Sequence, residues 1–147
     1  MFRAAESLID AVLTSPLVPA DSGVLVESRD TSGTCNQDQW MFKGVFFEHL
    51  AYFLQDMAAL PELHLSIKRS ILQKYSGFIY ANSSAVWNNA RGMDGRISSW
   101  WAIPPEENVL RQMSIETLGS GLSAVSCAVL VDKLLQSLDG ATGVEIG

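Results

Sequence analysis

The chain has 147 residues, 48% of them apolar and 18% charged, with a formal net charge of −6 and a pI of about 4.7. That apolar share excludes disorder of the highly charged, weakly hydrophobic kind. The acidic balance excludes non-specific binding to a nucleic-acid backbone, since Lys68-Arg69 is the only adjacent basic pair.

Phe2, Ala5, Leu8, Ile9, Val12 and Leu13 recur at helical spacing and predict a helix over Phe2–Thr14, ended by Pro16 and Pro19. Glu6 and Asp10 break the apolar run, which is not how a signal-peptide core is built. A loop follows, with an apolar patch at Val24, Leu25 and Val26 and an irregular stretch from Glu27 to Asn36. The second helix is predicted from about Asp38 to Ala59. Trp40, Met41, Phe42, Val45, Phe46, Phe47, Leu50, Phe53, Leu54 and Met57 make it apolar on most of its circumference, so it should be buried between neighbours. Pro61 and Glu62 should open a third helix that reaches about Ala81, with Lys68, Arg69 and Lys74 outside.

Asn82 to Pro105 differs in kind. It holds three of the four tryptophans (Trp87, Trp100, Trp101) together with Arg91, Gly92, Gly95 and Arg96. A short helix is predicted over Ser84–Ala90 and loop for the rest; long aromatic loops in helical domains often carry function. The last helix is predicted from Ser114 to Leu138. Gly119, Ser120, Gly121, Ser123, Ala124 and Ser126 allow a neighbouring helix to come close.

No strand pattern, internal repeat or stretch of membrane-spanning apolar length is visible. The fold class is all-α, and residues 1–147 read as a single partial domain. Two helices that look fully enclosed cannot both be wrapped by the other two, which points to partner helices outside this sequence. Cys35 and Cys127 lack metal or redox spacing, and His49 and His64 stand apart, so no metal site or cofactor is implied. A disulfide and two buried thiols both remain open.

Four segments carry a family resemblance. Asp38, Phe42, Lys43 and Gly44 stand as Asp-x-x-x-Phe-Lys-Gly and lead into an apolar helix. Phe78-Ile79-Tyr80-Ala81-Asn82-Ser83-Ser84-Ala85-Val86-Trp87 is followed by Asn89-Ala90-Arg91 and then by Trp100-Trp101. Glu116-Thr117-Leu118-Gly119-Ser120-Gly121-Leu122 comes last. In this order, from about Gly23 to Gln136, they resemble the C-terminal part of glycoside hydrolase family 76, fungal members included. The resemblance implies an (α/α)6 toroid, of which this chain would hold the last third to half. It implies hydrolysis of α-1,6-mannan with retention, an α-mannan-type polysaccharide or oligosaccharide as partner, and an extracellular or wall-associated setting. Retention needs two carboxyl groups about 5 Å apart across the scissile bond, and the family uses two adjacent aspartates. Here Asp10, Asp21, Asp30, Asp38, Asp56, Asp94, Asp132 and Asp139 include no adjacent pair, so no catalytic residue carries over. The other reading is a non-catalytic helical carbohydrate-binding or interaction module.

Each candidate binding residue has a plainer alternative. Asp38 and Lys43 at the toroid mouth would bind sugar hydroxyls, or else form a helix-start carboxylate paired with a half-buried lysine. Trp87, Trp100 and Trp101 would stack on pyranose faces, Trp100 or Trp101 before Trp87, or else plug the loop into the core. Arg91 would bind substrate or, the commoner use, tie loop carbonyls together. Glu48 and His49 offer acid/base groups, against the plainer reading of a satisfied buried histidine. Asn82-Ser83-Ser84 is a glycosylation acceptor motif at a helix end that should be packed.

Overall fold

The computed structural model describes residues 2–30, 32, 34–102 and 113–142. Four helices carry it: α1 (Phe2–Leu13), α2 (Gln37–Ala59), α3 (Leu65–Ala85) and α4 (Ile115–Thr142), with a π-helical turn (Val86–Ala90) continuing α3. No strand forms among the described residues; two isolated bridges, Arg91 with Ile97 and Ser98 with Met113, fasten the loop before α4.

Local chemistry sets the helix ends. Asn36 caps α2, its side chain accepting from the Gln39 N–H while the Gln39 side chain accepts from the Asn36 N–H. His64 caps α3 by accepting from the Ser66 N–H. The third helix therefore starts at Leu65, later than the proline at 61 suggested, because the capping side chain and not the proline closes the first turn. The helix expected over Ser84–Ala90 is no separate element: α3 runs on into it, and the Arg91 N–H reaches back to the Val86 carbonyl.

Contacts give the layout. Arg69 pairs with Asp139 and Tyr80 with Asp132, so α3 and α4 run antiparallel. Lys68 donates to the Ala58 carbonyl while Phe78 stacks on Phe47, so α2 and α3 are antiparallel too. Helices α2 and α4 are consequently parallel, with Gln37 bonded to Glu116 at one end and Glu48 to Ser123 further along. They touch at Gly44, where an added Cβ would lie 2.6 Å from Ser120 Cα; the Ser120 hydroxyl donates to the Trp40 carbonyl at 2.6 Å. Helix α1 leans on both α2 and α3. Phe2 meets the Phe53 ring at 4.8 Å, and Lys74 binds Glu6 and Asp10.

The core gathers Phe47, Leu50, Leu54 and Met57 of α2, Leu72, Tyr75 and Ile79 of α3, and Ala124, Cys127 and Val131 of α4, with Trp101 from the loop. Both cysteines are free and buried, which settles the open pairing question, and burial pushes their thiols up to about 11 (Cys35) and about 12 (Cys127). Lys68, expected outside, is buried along its stem and ends on a carbonyl. Asn82 is fully buried: its oxygen accepts from the Leu25 N–H, and its amide donates to the Gly23 and Phe78 carbonyls.

The two helices expected to be enclosed are each open on one side. Met41, Phe42, Val45 and Tyr52 of α2 are exposed, as are Ile115, Leu118, Leu122 and Val129 of α4. Ile115–Gly140 is also long and apolar enough to cross a membrane, contrary to expectation, although one side of α4 packs on α2 and α3 as a core helix does.

Candidate functional site

The described parts of the long loops gather at one end of the bundle, where α2 and α4 begin and α3 finishes. Lys43 organises that end. Its Nζ lies 2.5 Å from Asp30 Oδ2 and 2.5 Å from the Ser99 carbonyl, and 4.9 Å from the centre of the Trp101 ring. Asp30 also accepts from the Glu27 N–H at 2.9 Å and from the Cys35 thiol at 3.5 Å. Asn89 donates to the Trp101 carbonyl at 2.9 Å. One ammonium group thus pins the loops on both sides of it to α2. Burial draws the Lys43 ammonium below the usual lysine range, against the opposing pull of Asp30. A group so enclosed holds the scaffold.

This arrangement corrects the pairing expected for Asp38. Asn36 takes the capping role, Asp38 lies exposed on the first turn, and the carboxylate that pairs with Lys43 is Asp30, from the preceding loop. The first turn of a helix suits a carboxylate, which accounts for Asp38 without a ligand.

The tryptophans divide in the opposite order to the one expected. Trp101 is 1% exposed and lies 5.9 Å from the Phe47 ring, so it is the plug; its indole N–H and the Ser99 hydroxyl are buried without a partner among the described residues. Trp100 is half-buried. Trp87 is 56% exposed, with the Arg91 guanidinium 3.8 Å from its ring centre. The pair stands on the rim as one stacked unit. Spacing on a loop carries no information about which indole turns inward, so this division was hidden in the sequence.

Between α2 and α4 runs an open trough, lined in part by Gly44, Glu116 and Gly119 of the resemblance segments and by Glu48. Two clefts of about 290 and 440 Å³ share Glu48 and Ser123 and so adjoin along the two helices. Met41, Val45, Glu48, Tyr52 and Gln55 form its α2 wall; Glu116, Gly119, Ser123, Ser126 and Leu130 form its α4 wall. Both sets step by three and four residues, so each is one stripe of its helix. Ser123 Oγ donates to Glu48 Oε1 at 3.0 Å. At the mouth Glu116 accepts from Gln37, and with hydrogen bonding from Ser114 as the larger cause its carboxyl is held below the ordinary glutamate value. His49 is exposed beside the Tyr52 ring, not buried, because it falls on the outer side of α2. Among the described residues no group of histidine, cysteine and carboxylate side chains is placed to hold a metal ion.

No family model matches the chain, and no curated protein does. The fold does have a counterpart among solved structures: an inactive variant, with two adjacent aspartates changed to asparagine, of the alpha-1,6-mannanase GH76A of Salegentibacter sp. HEL1_6, in complex with alpha-1,6-mannotriose. The two share 19% identity with a TM-score of 0.58, over 88% of this chain and 32% of that one. The chain therefore has the fold of part of a family 76 toroid and spans about a third of the length of the protein it matches.

Proposed function

We propose that this chain forms one arc of a carbohydrate-handling (α/α)6 toroid that acts on α-1,6-mannan with retention. In this reading the arc supplies scaffold and binding wall, and the aspartate pair lies outside this sequence. The observation that carries it is the shared fold with a mannanase caught on alpha-1,6-mannotriose. The parallel α2/α4 pair with exposed apolar flanks supports the reading, since inner helices of a ring need neighbours on both sides. An extracellular or wall-associated setting belongs to the same proposal.

Retaining hydrolysis needs a nucleophile and an acid/base group placed together, and the sequence has no adjacent aspartates. The purified chain should release no reducing ends from α-1,6-mannan; turnover by the chain alone would sink this assignment of roles. The exposed apolar flanks should also give it low stability and strong binding of hydrophobic dyes. A sharp cooperative melt of a monomer would speak against an arc.

One observation favours a second reading, a non-catalytic sugar-binding module. The exposed Trp87–Arg91 pair offers a stacking surface that needs no chemistry beside it. The coding sequence upstream separates the two: an Asp-Asp pair there supports the enzyme, its absence the module.

A further inference from the structure

We infer that the trough between α2 and α4 is a pyranose-binding wall, with Tyr52 as stacking plane and Glu48, Gln55 and Ser126 as hydrogen-bonding groups. This rests on the carbohydrate reading above and deepens it by naming the contacts.

The argument begins with what the strip cannot be. A helix laid into this groove would cover Glu48 and Gln55, and a carboxylate or amide buried without partners costs far more than the contact would return. The remaining apolar sides are different. Leu118 and Val129 are exposed on α4 outside the trough lining, and that strip suits a helix. The wet face is mixed: Met41, Val45 and Leu122 stand in the trough beside Glu48, Gln55 and Ser126, as a ligand with both apolar faces and a polar rim requires.

The composition of the wet face then selects the ligand. A pyranose ring has apolar C–H faces and a rim of hydroxyls that both donate and accept. Tyr52, 60% exposed, offers a ring for the face. Glu48 accepts, Gln55 does both, and the Ser126 hydroxyl does both. Ser123 already donates to Glu48 at 3.0 Å, which fixes the carboxylate in the groove and leaves its other lone pairs for sugar hydroxyls. Hydrogen bonds to a charged acceptor are the stronger kind. A neutral sugar suits the acidic wall better than a phosphate or an acid does. Glu48 and Ser123 line both clefts, so the wall continues past one ring and suits an oligosaccharide.

The test titrates α-1,6-mannotriose into the full chain by isotope-labelled NMR, with maltotriose as a second probe, and repeats it with Tyr52→Ala, Glu48→Gln and Tyr80→Phe. Tyr80 lies on the α3–α4 side and is the control. Expected are amide shifts confined to the trough stripes, affinity about tenfold weaker for Tyr52→Ala and Glu48→Gln, and no change for Tyr80→Phe. Unchanged melting curves show that the variants fold. Mannotriose binding that maps elsewhere, or is indifferent to both substitutions, overturns the wall and leaves the mannan reading intact. Maltotriose binding there in place of mannotriose keeps the wall and removes the mannan reading. Absence of binding by either sugar overturns the wall.

Discussion

The loop end and the trough sit on the same two helices and are built on opposite terms. At the loop end Lys43, Asp30, Ser99 and Trp101 are all nearly inaccessible and bind one another. In the trough Glu48, Tyr52, Gln55 and Ser126 are exposed and, apart from the Glu48–Ser123 bond, face open space. Of the Phe-Lys-Gly segment, which carries the resemblance, Lys43 belongs to the first group and Gly44 to the contact with α4, while Phe42 is exposed. Lys43 marks where the backbone is held, and the polar groups of the trough begin about one turn further along the same helix, at Glu48.

Changes at four places in the molecule would sharpen or break that contrast. Lys43→Ala should have the largest effect, lowering stability by about 3–5 kcal/mol because Asp30 is left buried and unpaired. Urea melts followed by tryptophan fluorescence would read it, and Lys43→Met combined with Asp30→Asn should recover much of the loss. A loss under 1 kcal/mol would mean the pair behaves as a surface salt bridge does. Gly44→Ala should cost about 1–3 kcal/mol, since the new methyl group meets the Ser120 backbone at 2.6 Å; the same melts would show it.

The α1 anchor is next. The Lys74 hydrogen bond, ahead of that from Tyr75, holds the Asp10 carboxyl below its usual value. A depressed carboxylate contributes stability above its unfolded pKa, near 3.9, and loses it as pH falls through the folded value. Hydrogen-exchange protection of α1 amides, corrected for intrinsic rates, should therefore fall below about pH 4, and Lys74→Ala should weaken that dependence, leaving the Tyr75 bond. Smallest of all should be Glu48→Gln and Gln55→Ala in the trough, within about 0.5 kcal/mol of the parent. A large loss there would show that the trough is scaffold too, and the contrast would fail.

Much of the helical framework was legible because periodicity, capping and proline placement are local. The four helices lie within a few residues of where the pattern puts them, and the burial of Phe47, Leu50 and Leu54 follows from spacing alone. What was not legible depends on contacts between distant segments. Asp30 reaches Lys43 only after the loop folds back over α2, so nearby Asp38 looked the better partner. Trp101 turns inward through Asn89 and Lys43, neither of which its spacing reveals. The trough was concealed by the apolar abundance of α2: Glu48 stood out only as an acid/base candidate beside His49, whereas it lines the groove with Tyr52 and Gln55.

The Asn82 amide ends on a different consequence. Its oxygen and both hydrogens are engaged with Leu25, Gly23 and Phe78, so the closed chain offers no nitrogen to an oligosaccharyltransferase. In a host that modifies this tripeptide, a glycan at position 82 could be installed only during synthesis, before the neighbouring strand of loop is laid down. Once in place it would hold that clamp open permanently. The glycosylated fraction would then act as a clock, counting the molecules that met the transferase before they finished folding.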